Sequence, residues 1–289
     1  MVPSTGSCQK SVNTPVVFLV YKRPKHTEKV LDAIRQARPK ELFVVADGPK
    51  NQGEEESTSS TIALIKKGIT WDCSVKWNIA ESNMGLANRV SSGITWAMRQ
   101  CNEAIILEDD CLPDPSFFPY CAEMLEMYSR EEKIMSITGD NFQKEIQRGD
   151  ASYYFSFFHH CWGWATWKRA WDHYDHSLTC WTKTLQFIKE QEIPNFEKYW
   201  EGIKSLLDEG NINSWAYRWI FSIWARRGLT ITPNLNLVQN IGYGDEGTHT
   251  KGPNIAPKKS SMIFPLKHPS EISVCSTADK YAAENWFKI

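Results

Sequence analysis

The stretch AIILEDDCLPDPSFF, Ala104 to Phe118, ends an apolar run in three adjacent acids, Glu108, Asp109 and Asp110. Neighbouring carboxylates repel one another and add nothing to an apolar core, so their place at the end of a buried-type strand asks for a reason. Side chains alternate along an extended segment, so Glu108 and Asp110 share one face and Asp109 takes the other. Two carboxylates on one face suit a hard divalent cation, Mn2+ or Mg2+, whose other positions fill with water and phosphate oxygens. The plainer reading is a solvated acidic turn that starts the next helix. That helix needs only Asp114 as its N-cap, with Pro115 at the first position. The triplet is left over, and its position favours a metal–diphosphate site.

The elements around it decide whether other groups can reach that site. VVFLVY reads as a buried strand, and HTEKVLDAIRQARP as a helix capped by Thr27 and stopped by Pro39. ELFVVADG is a second strand ending in the turn signal Asp47-Gly48-Pro49. A helix closing on IALIKKG, the half-exposed strand CSVKWNI, a helix over MGLANRVSSGITWAMRQ, the acidic strand, a helix over DPSFFPYCAEMLEMY and the strand KIMSITG follow. Strand and helix alternate from residue 15 to about 140, which predicts an α/β fold with a largely parallel sheet and right-handed crossovers. Ligands bind such sheets outside the carboxyl ends of the strands. Tyr21-Lys22-Arg23, Asp47-Gly48 and Glu108-Asp109-Asp110 then converge on one rim.

The second half is dense in aromatics, above all ASYYFSFFHHCWGWATWKRAWDHYD, and helices are expected at 181–191, 194–209 and 214–227. A short strand and the Gly-rich loop NLVQNIGYGDEGTHT come next, then a tail from Lys251 expected to wrap the surface. Net charge is −1, so nothing favours nucleic acid or an anionic membrane as a partner. None of the eight cysteines forms a C-x-x-C pair, and reduced thiols in a cytoplasmic protein are the plain reading, with peripheral attachment to a membrane left open. No signal peptide is visible, and the apolar run from Pro15 to Tyr21 is far too short to span a bilayer.

VVFLVYKRP, LFVVADG, ESNMGLANRVSSGI, IILEDDCLPDPSFF and CWGWATWKRAWDHYD occur in an order that resembles a family. It is that of the Golgi enzyme adding the first antenna N-acetylglucosamine to N-glycans, within the GT-A-fold glycosyltransferases. Bacterial glycosyltransferases with endings like NLVQNIGYGDEGTHT are similar too. The resemblance covers residues 14–250, with EDD and GWATWKRAW the most specific parts. It implies one GT-A (Rossmann-like) domain over 1–289: a nucleotide-sugar-binding half at 14–142, an acceptor half at 143–250 and the tail at 251–289. It implies Mn2+ or Mg2+ as cofactor, a nucleotide-diphosphate sugar as donor (a UDP-sugar favoured), and a hydroxyl of a glycan or other molecule as acceptor.

Residue by residue, the resemblance implies that Arg23 and Asp47 hold base and ribose. Asn83, Gly85 and Arg89 belong to the loop and helix start that close over the nucleotide. Glu108 and Asp109 contact ribose or donor sugar, and Asp110 ligates the metal. Trp162, Gly163 and Trp164 form part of the acceptor and sugar wall, and His249 is a second metal or diphosphate contact. Plainer readings stand beside these: Arg23 as a loop cation, Asp47-Gly48-Pro49 as a turn, the tryptophans as core, and His159 and His160 as structural or surface groups. Trp167 and Trp171, four apart, belong in the core.

One departure matters. An inverting transferase needs a carboxylate base for the acceptor hydroxyl. The resembled family has an acidic pair beside a tryptophan where a late helix begins, whereas NINSWAYRW here has no acid. Asp140, in TGDNF, is one substitute; Asp245 and Glu246 in the Gly-rich loop are others. A retaining mechanism needs no such base. Two other functions stay open. A nucleotidyltransferase shares this kind of fold but carries a Gly-rich basic loop after the first strand, and VYKRPKH has no glycine. A catalytically inactive carbohydrate-binding relative would explain the missing acid.

Overall fold

A computed structural model describes residues 13–242 and 256–289. Its first half alternates as the sequence predicts: β1 (Val16–Val20), α1 (Pro24–Ala37), β2 (Glu41–Ala46), α2 (Glu55–Gly68), β3 (Ser74–Ile79), α3 (Leu86–Met98) and β4 (Glu103–Glu108). β1 pairs in parallel with β2 and β4, and β2 with β3. All of β1 and all but the first residue of β2 are buried. Helices cover both faces there, which is why these strands read as unbroken apolar runs. β3 stands at the sheet edge, and its half-exposed residues explain its mixed pattern.

The remaining elements are β5 (Cys111–Pro113), α4 (Phe117–Met127), β6 (Ile134–Thr138), β7 (Tyr153–Ser156), β8 (Trp164–Trp167), α5 (Lys168–Trp171), α6 (Trp181–Lys189), α7 (Phe196–Asp208), α8 (Trp215–Ala225), β9 (Leu229–Pro233), β10 (Val238–Asn240) and α9 (Ser276–Ala282), which runs into a π-type turn Ala283–Phe287. The eight-stranded sheet has the order β3-β2-β1-β4-β8-β6-β9-β7. β8 runs antiparallel to both β4 and β6, and β7 antiparallel to β9, while β6 and β9 are parallel. β1–β4, β6 and β9 therefore share one direction. This is a mostly parallel, helix-flanked, Rossmann-like α/β sheet. β5 and β10 form a separate antiparallel ribbon.

Two helix starts differ from the sequence expectation. α1 begins at Pro24 with Arg23 as its cap; Thr27 lies inside it and its hydroxyl donates to the Arg23 carbonyl at 2.9 Å. Pro suits the first turn because it has no N–H to leave unpaired. α4 begins at Phe117, not at Pro115. Asp114 instead closes a turn before it, accepting from Ser116 N–H at 3.0 Å and from its hydroxyl at 2.6 Å.

The aromatic half extends the same continuous core. Trp164, Trp200, Trp219 and Trp224 are fully buried. Trp164 stacks on Trp215 at 5.4 Å and 19°, and Trp200 meets Trp224 edge-on at 4.8 Å and 88°. Trp167 and Trp171 are buried as their spacing predicts. The seven described cysteines are free thiols, and among the described residues no helix is long and apolar enough to cross a membrane.

Candidate active site

β4 delivers Glu108 at its last position, and Asp109-Asp110 turn the chain into β5. Glu108 and Asp110 both line a cavity of about 470 Å3, with Arg23 beside them. Asp109 points the other way and is 3% exposed. It accepts from the Tyr21 backbone N–H at 3.4 Å and from one guanidinium nitrogen of Arg23. The other terminal nitrogen of Arg23 lies 3.0 Å from Asp110 Oδ2. One guanidinium thus pairs with two of the three carboxylates. Burial, then the charges of Asp110 and Asp109, push Glu108 up to about 8, against the pull of Arg23 and a hydrogen bond from the Trp215 side chain. Burial likewise raises Asp109, although Arg23 opposes it. Burial alone would lower Arg23, but Asp109 and Asp110 outweigh it and hold it protonated.

Uncompensated negative charge and hard oxygen donors fit Mn2+ or Mg2+. Among the described residues no group of three or more His, Cys, Asp or Glu side chains is arranged to hold a metal. The cavity-facing pair, Glu108 and Asp110, matches the habit of hard cations that take one or two carboxylates and complete their shell from water and ligand oxygens.

At the end of β2, Asp47 is committed to the local loop. Its Oδ1 accepts from the N–H groups of Gly48 at 3.0 Å and Met84 at 2.9 Å, and Oδ2 from Asn83 Nδ2 at 2.8 Å. Burial raises its carboxyl, and those backbone bonds pull it back. Asn83 also accepts from Gly85 N–H at 3.1 Å, and Gly85, at φ +78°, makes the left-handed step into α3. The Arg89 guanidinium is spent on strand ends: Nε donates to the Ala46 carbonyl at 3.1 Å and a terminal nitrogen to Asn78 Oδ1 at 3.0 Å. Asp47, Asn83, Gly85 and Arg89 form one rigid clamp beside the rim, and none of them lines the cavity.

Asp140, just past β6, lines the same cavity as the acids. Its carboxylate accepts from the Thr138 hydroxyl and from Trp162 N–H at 3.2 Å. Burial pushes it up to about 7 in spite of these bonds. Trp162 lines the cavity, but Trp164 does not: it is 1% exposed within the tryptophan stack. Gly163, at φ +69°, packs on Val238 and Leu107, and its carbonyl accepts from Gly139 N–H at 2.7 Å. The wall expected from Trp162, Gly163 and Trp164 therefore divides into one cavity residue and two packing residues. His159 and His160 are buried rather than on the surface and line the cavity; burial keeps both neutral, His160 at about 3. Asp245, Glu246 and His249 lie outside the described residues.

Several cavity residues were not singled out from the sequence. Ser214, Trp215 and Tyr217 come from the cap and first turn of α8, and Phe142 from the loop after β6. Trp286 and Phe287 come from the stretch expected to wrap the surface. Aromatic density marked their neighbourhoods, but no local spacing connects residue 286 to residue 142.

No family model matches the sequence, and no curated protein matches it. Solved structures do resemble the fold. A mannosyltransferase from Pyrobaculum calidifontis in complex with GDP-Man and Mn2+ has a TM-score of 0.43 and 12% identity, over 75% of this chain and 70% of that one. Mouse xyloside xylosyltransferase 1 has a TM-score of 0.36 and 9% identity, over 73% and 81% of the two chains. A cytidylyltransferase from Leptospira borgpetersenii has a TM-score of 0.38 and 13% identity, over 65% and 71%. The similar folds thus include glycosyltransferases and a nucleotidyltransferase alike.

Proposed function

We propose that this chain is a metal-dependent glycosyltransferase that moves a sugar from a nucleotide-diphosphate donor, with UDP-sugars the first to test, to an acceptor hydroxyl. One observation carries the reading. Glu108 and Asp110 open together onto a cavity at the carboxyl ends of parallel strands, with Arg23 beside them and Asp140 in the same lining. Asp110 and Glu108 would hold the cation, with His249 as a further ligand. Bound there, Mn2+ or Mg2+ supplies positive charge for the departing diphosphate. Arg23 pairs with both Asp109 and Asp110 and adds positive charge beside the place of the diphosphate. Asp140, poised at about 7, takes the proton of the acceptor hydroxyl; Thr138 and the Trp162 N–H hold its orientation. Asp245 and Glu246 are the alternative bases in the same proposal.

The test is calorimetric titration of UDP and GDP with and without Mn2+, followed by donor turnover. Mn2+-dependent binding that disappears in Asp110→Ala is expected. Absence of nucleoside diphosphate binding, or no effect of Asp110→Ala, refutes the proposal. Pyrophosphate release from a nucleoside triphosphate would point instead to nucleotidyl transfer. Donor hydrolysis that vanishes in Asp110→Asn excludes an inactive relative.

A further inference from the structure

Residues 256–270 form a strap along the β5–β10 ribbon and α4. At its start Lys259 Nζ donates to the Pro113 carbonyl at 2.9 Å, the Ser261 hydroxyl to Asp114 Oδ2 at 3.0 Å, and Met262 N–H to the Ser116 hydroxyl at 2.8 Å. Further on, Lys267 N–H donates to the Ser152 hydroxyl at 2.9 Å, and Ser152 N–H to the Lys267 carbonyl at 2.7 Å. Between these anchors the chain turns outward. We propose that the tip of the strap, Ile263-Phe264, docks the protein on a lipid bilayer with anionic headgroups. The two apolar side chains enter the interface, and Lys258, Lys259 and Lys267 meet the headgroup phosphates. This stands apart from the transferase reading above.

Three observations carry it. The first is how the tip is presented. Ile263 is 79% exposed, and among the described residues the next large apolar side chain, Met127, reaches only 47%. Phe264 beside it is 39% exposed, while Met262 and Leu266 on either side are buried. Apolar residues exposed singly are ordinary. Two adjacent ones, held out by a segment tied down on both flanks, call for a partner.

The second is charge. Residues 256–270 hold three lysines and one histidine and no acid, although the whole chain carries −1. The net charge of the chain therefore hides a basic segment. Acids of other elements face part of it. Asp150 pairs with Lys267 at 2.7 Å, and Glu123 lies 3.4 Å from His268 Nε2. The Lys267 pair is exposed on both sides, so it holds weakly. Lys258 and Lys259 have no ion-pair partner among the described residues. Lysines beside an anionic leaflet each add attraction.

The third is the order of the chemistry. The strap reads basic, apolar, basic along the chain. A bilayer surface offers an apolar layer beneath an anionic one, which matches that order. A purely apolar groove on another protein would take Ile263 and Phe264 and leave the flanking lysines without a role. No described helix is long and apolar enough to cross a membrane, so this contact is peripheral.

The experiment is co-sedimentation of the whole chain with two kinds of vesicle: phosphatidylglycerol and phosphatidylcholine in equal amounts, and phosphatidylcholine alone. The chain binds the mixed vesicles more tightly than the neutral ones, and added NaCl weakens that binding. The double variant Ile263→Ser/Phe264→Ser loses about tenfold or more. Lys258→Gln/Lys259→Gln loses about fivefold or more. The changed side chains lie outside the core, so both variants keep the urea midpoint of the unaltered chain and its UDP–Mn2+ binding. A second reading needs no variant: mixed vesicles slow hydrogen exchange at the amides of Ile263 and Phe264 in the unaltered chain and leave α2 as it was. No binding to mixed vesicles, unchanged binding in Ile263→Ser/Phe264→Ser, or unslowed exchange overturns the proposal. So does a dimer that this variant abolishes and vesicles do not compete for, which would give the tip to a second copy of the chain. Vesicle binding without UDP binding leaves the docking tip standing and sinks only the transferase reading.

Discussion

Asp279→Asn isolates the energetics of the anchor that holds α9 on the sheet. Asp279 is 1% exposed, and burial pushes its carboxyl from 3.8 to about 7, against hydrogen bonds from Ser156 and the Phe157 N–H. Because the folded pKa lies above the unfolded one, the folded chain binds the proton more tightly. Stability is then full below about 4, falls as pH rises through the window to about 7, and stays at the lower level above it. The rise from 3.8 to about 7 is worth roughly 4 kcal/mol. Asparagine keeps the shape and one carbonyl acceptor and cannot ionise, so it removes this dependence. Other buried acids, Asp140 among them, give both proteins a similar background slope, and the difference between the two cancels it. Urea unfolding of both at pH 4.5 and 7.5 is the assay. The stability difference should move in favour of Asn by about 2–4 kcal/mol between the two pH values. A difference that does not change, or that moves towards Asp, refutes the reasoning.

Further outcomes follow from the same structure. In Asp140→Asn, transferase kcat falls by about 10²–10⁴ while UDP–Mn2+ binding is kept. The rise of wild-type activity with pH through about 7, as Asp140 loses its proton, disappears from the variant's profile. Gly163→Ala puts a Cβ 2.7 Å from Val238 Cγ2 at φ +69°. Left-handed strain and crowding together cost roughly 2–5 kcal/mol, read as a lower urea midpoint with an unchanged m-value.

How much of this was legible in the sequence depended on the range of the forces. The strands Val16–Val20, Glu41–Ala46 and Glu103–Glu108 announced themselves because burial on both faces leaves an unbroken apolar run. The opposite facing of Asp109 against Glu108 and Asp110 followed from strand alternation alone. Trp164 was not legible in the same way. It stands two residues from Trp162, which strand alternation alone would put on the same side, but Trp162 lies before β8 and Gly163, at φ +69°, turns the chain between them, so Trp164 faces the Trp215 stack. The cap of α4 was misplaced because Asp114-Pro115 makes a good helix start and an equally good turn, and pairing of Cys111–Pro113 with β10 selects the turn. The part played by Trp286 was hidden, since packing across more than a hundred residues leaves no local pattern.

That long reach has a consequence for how the molecule is made. β1 to β4 lie next to one another in the sheet and are complete once residue 108 has emerged from the ribosome. Glu108 and Asp110 can then gather beside Arg23, but the cavity still lacks a wall until residues 276–287 follow. The acid-bearing side thus rests on contacts among residues 16–110, whereas the aromatic side closes contacts more than a hundred residues apart, the kind that form slowly.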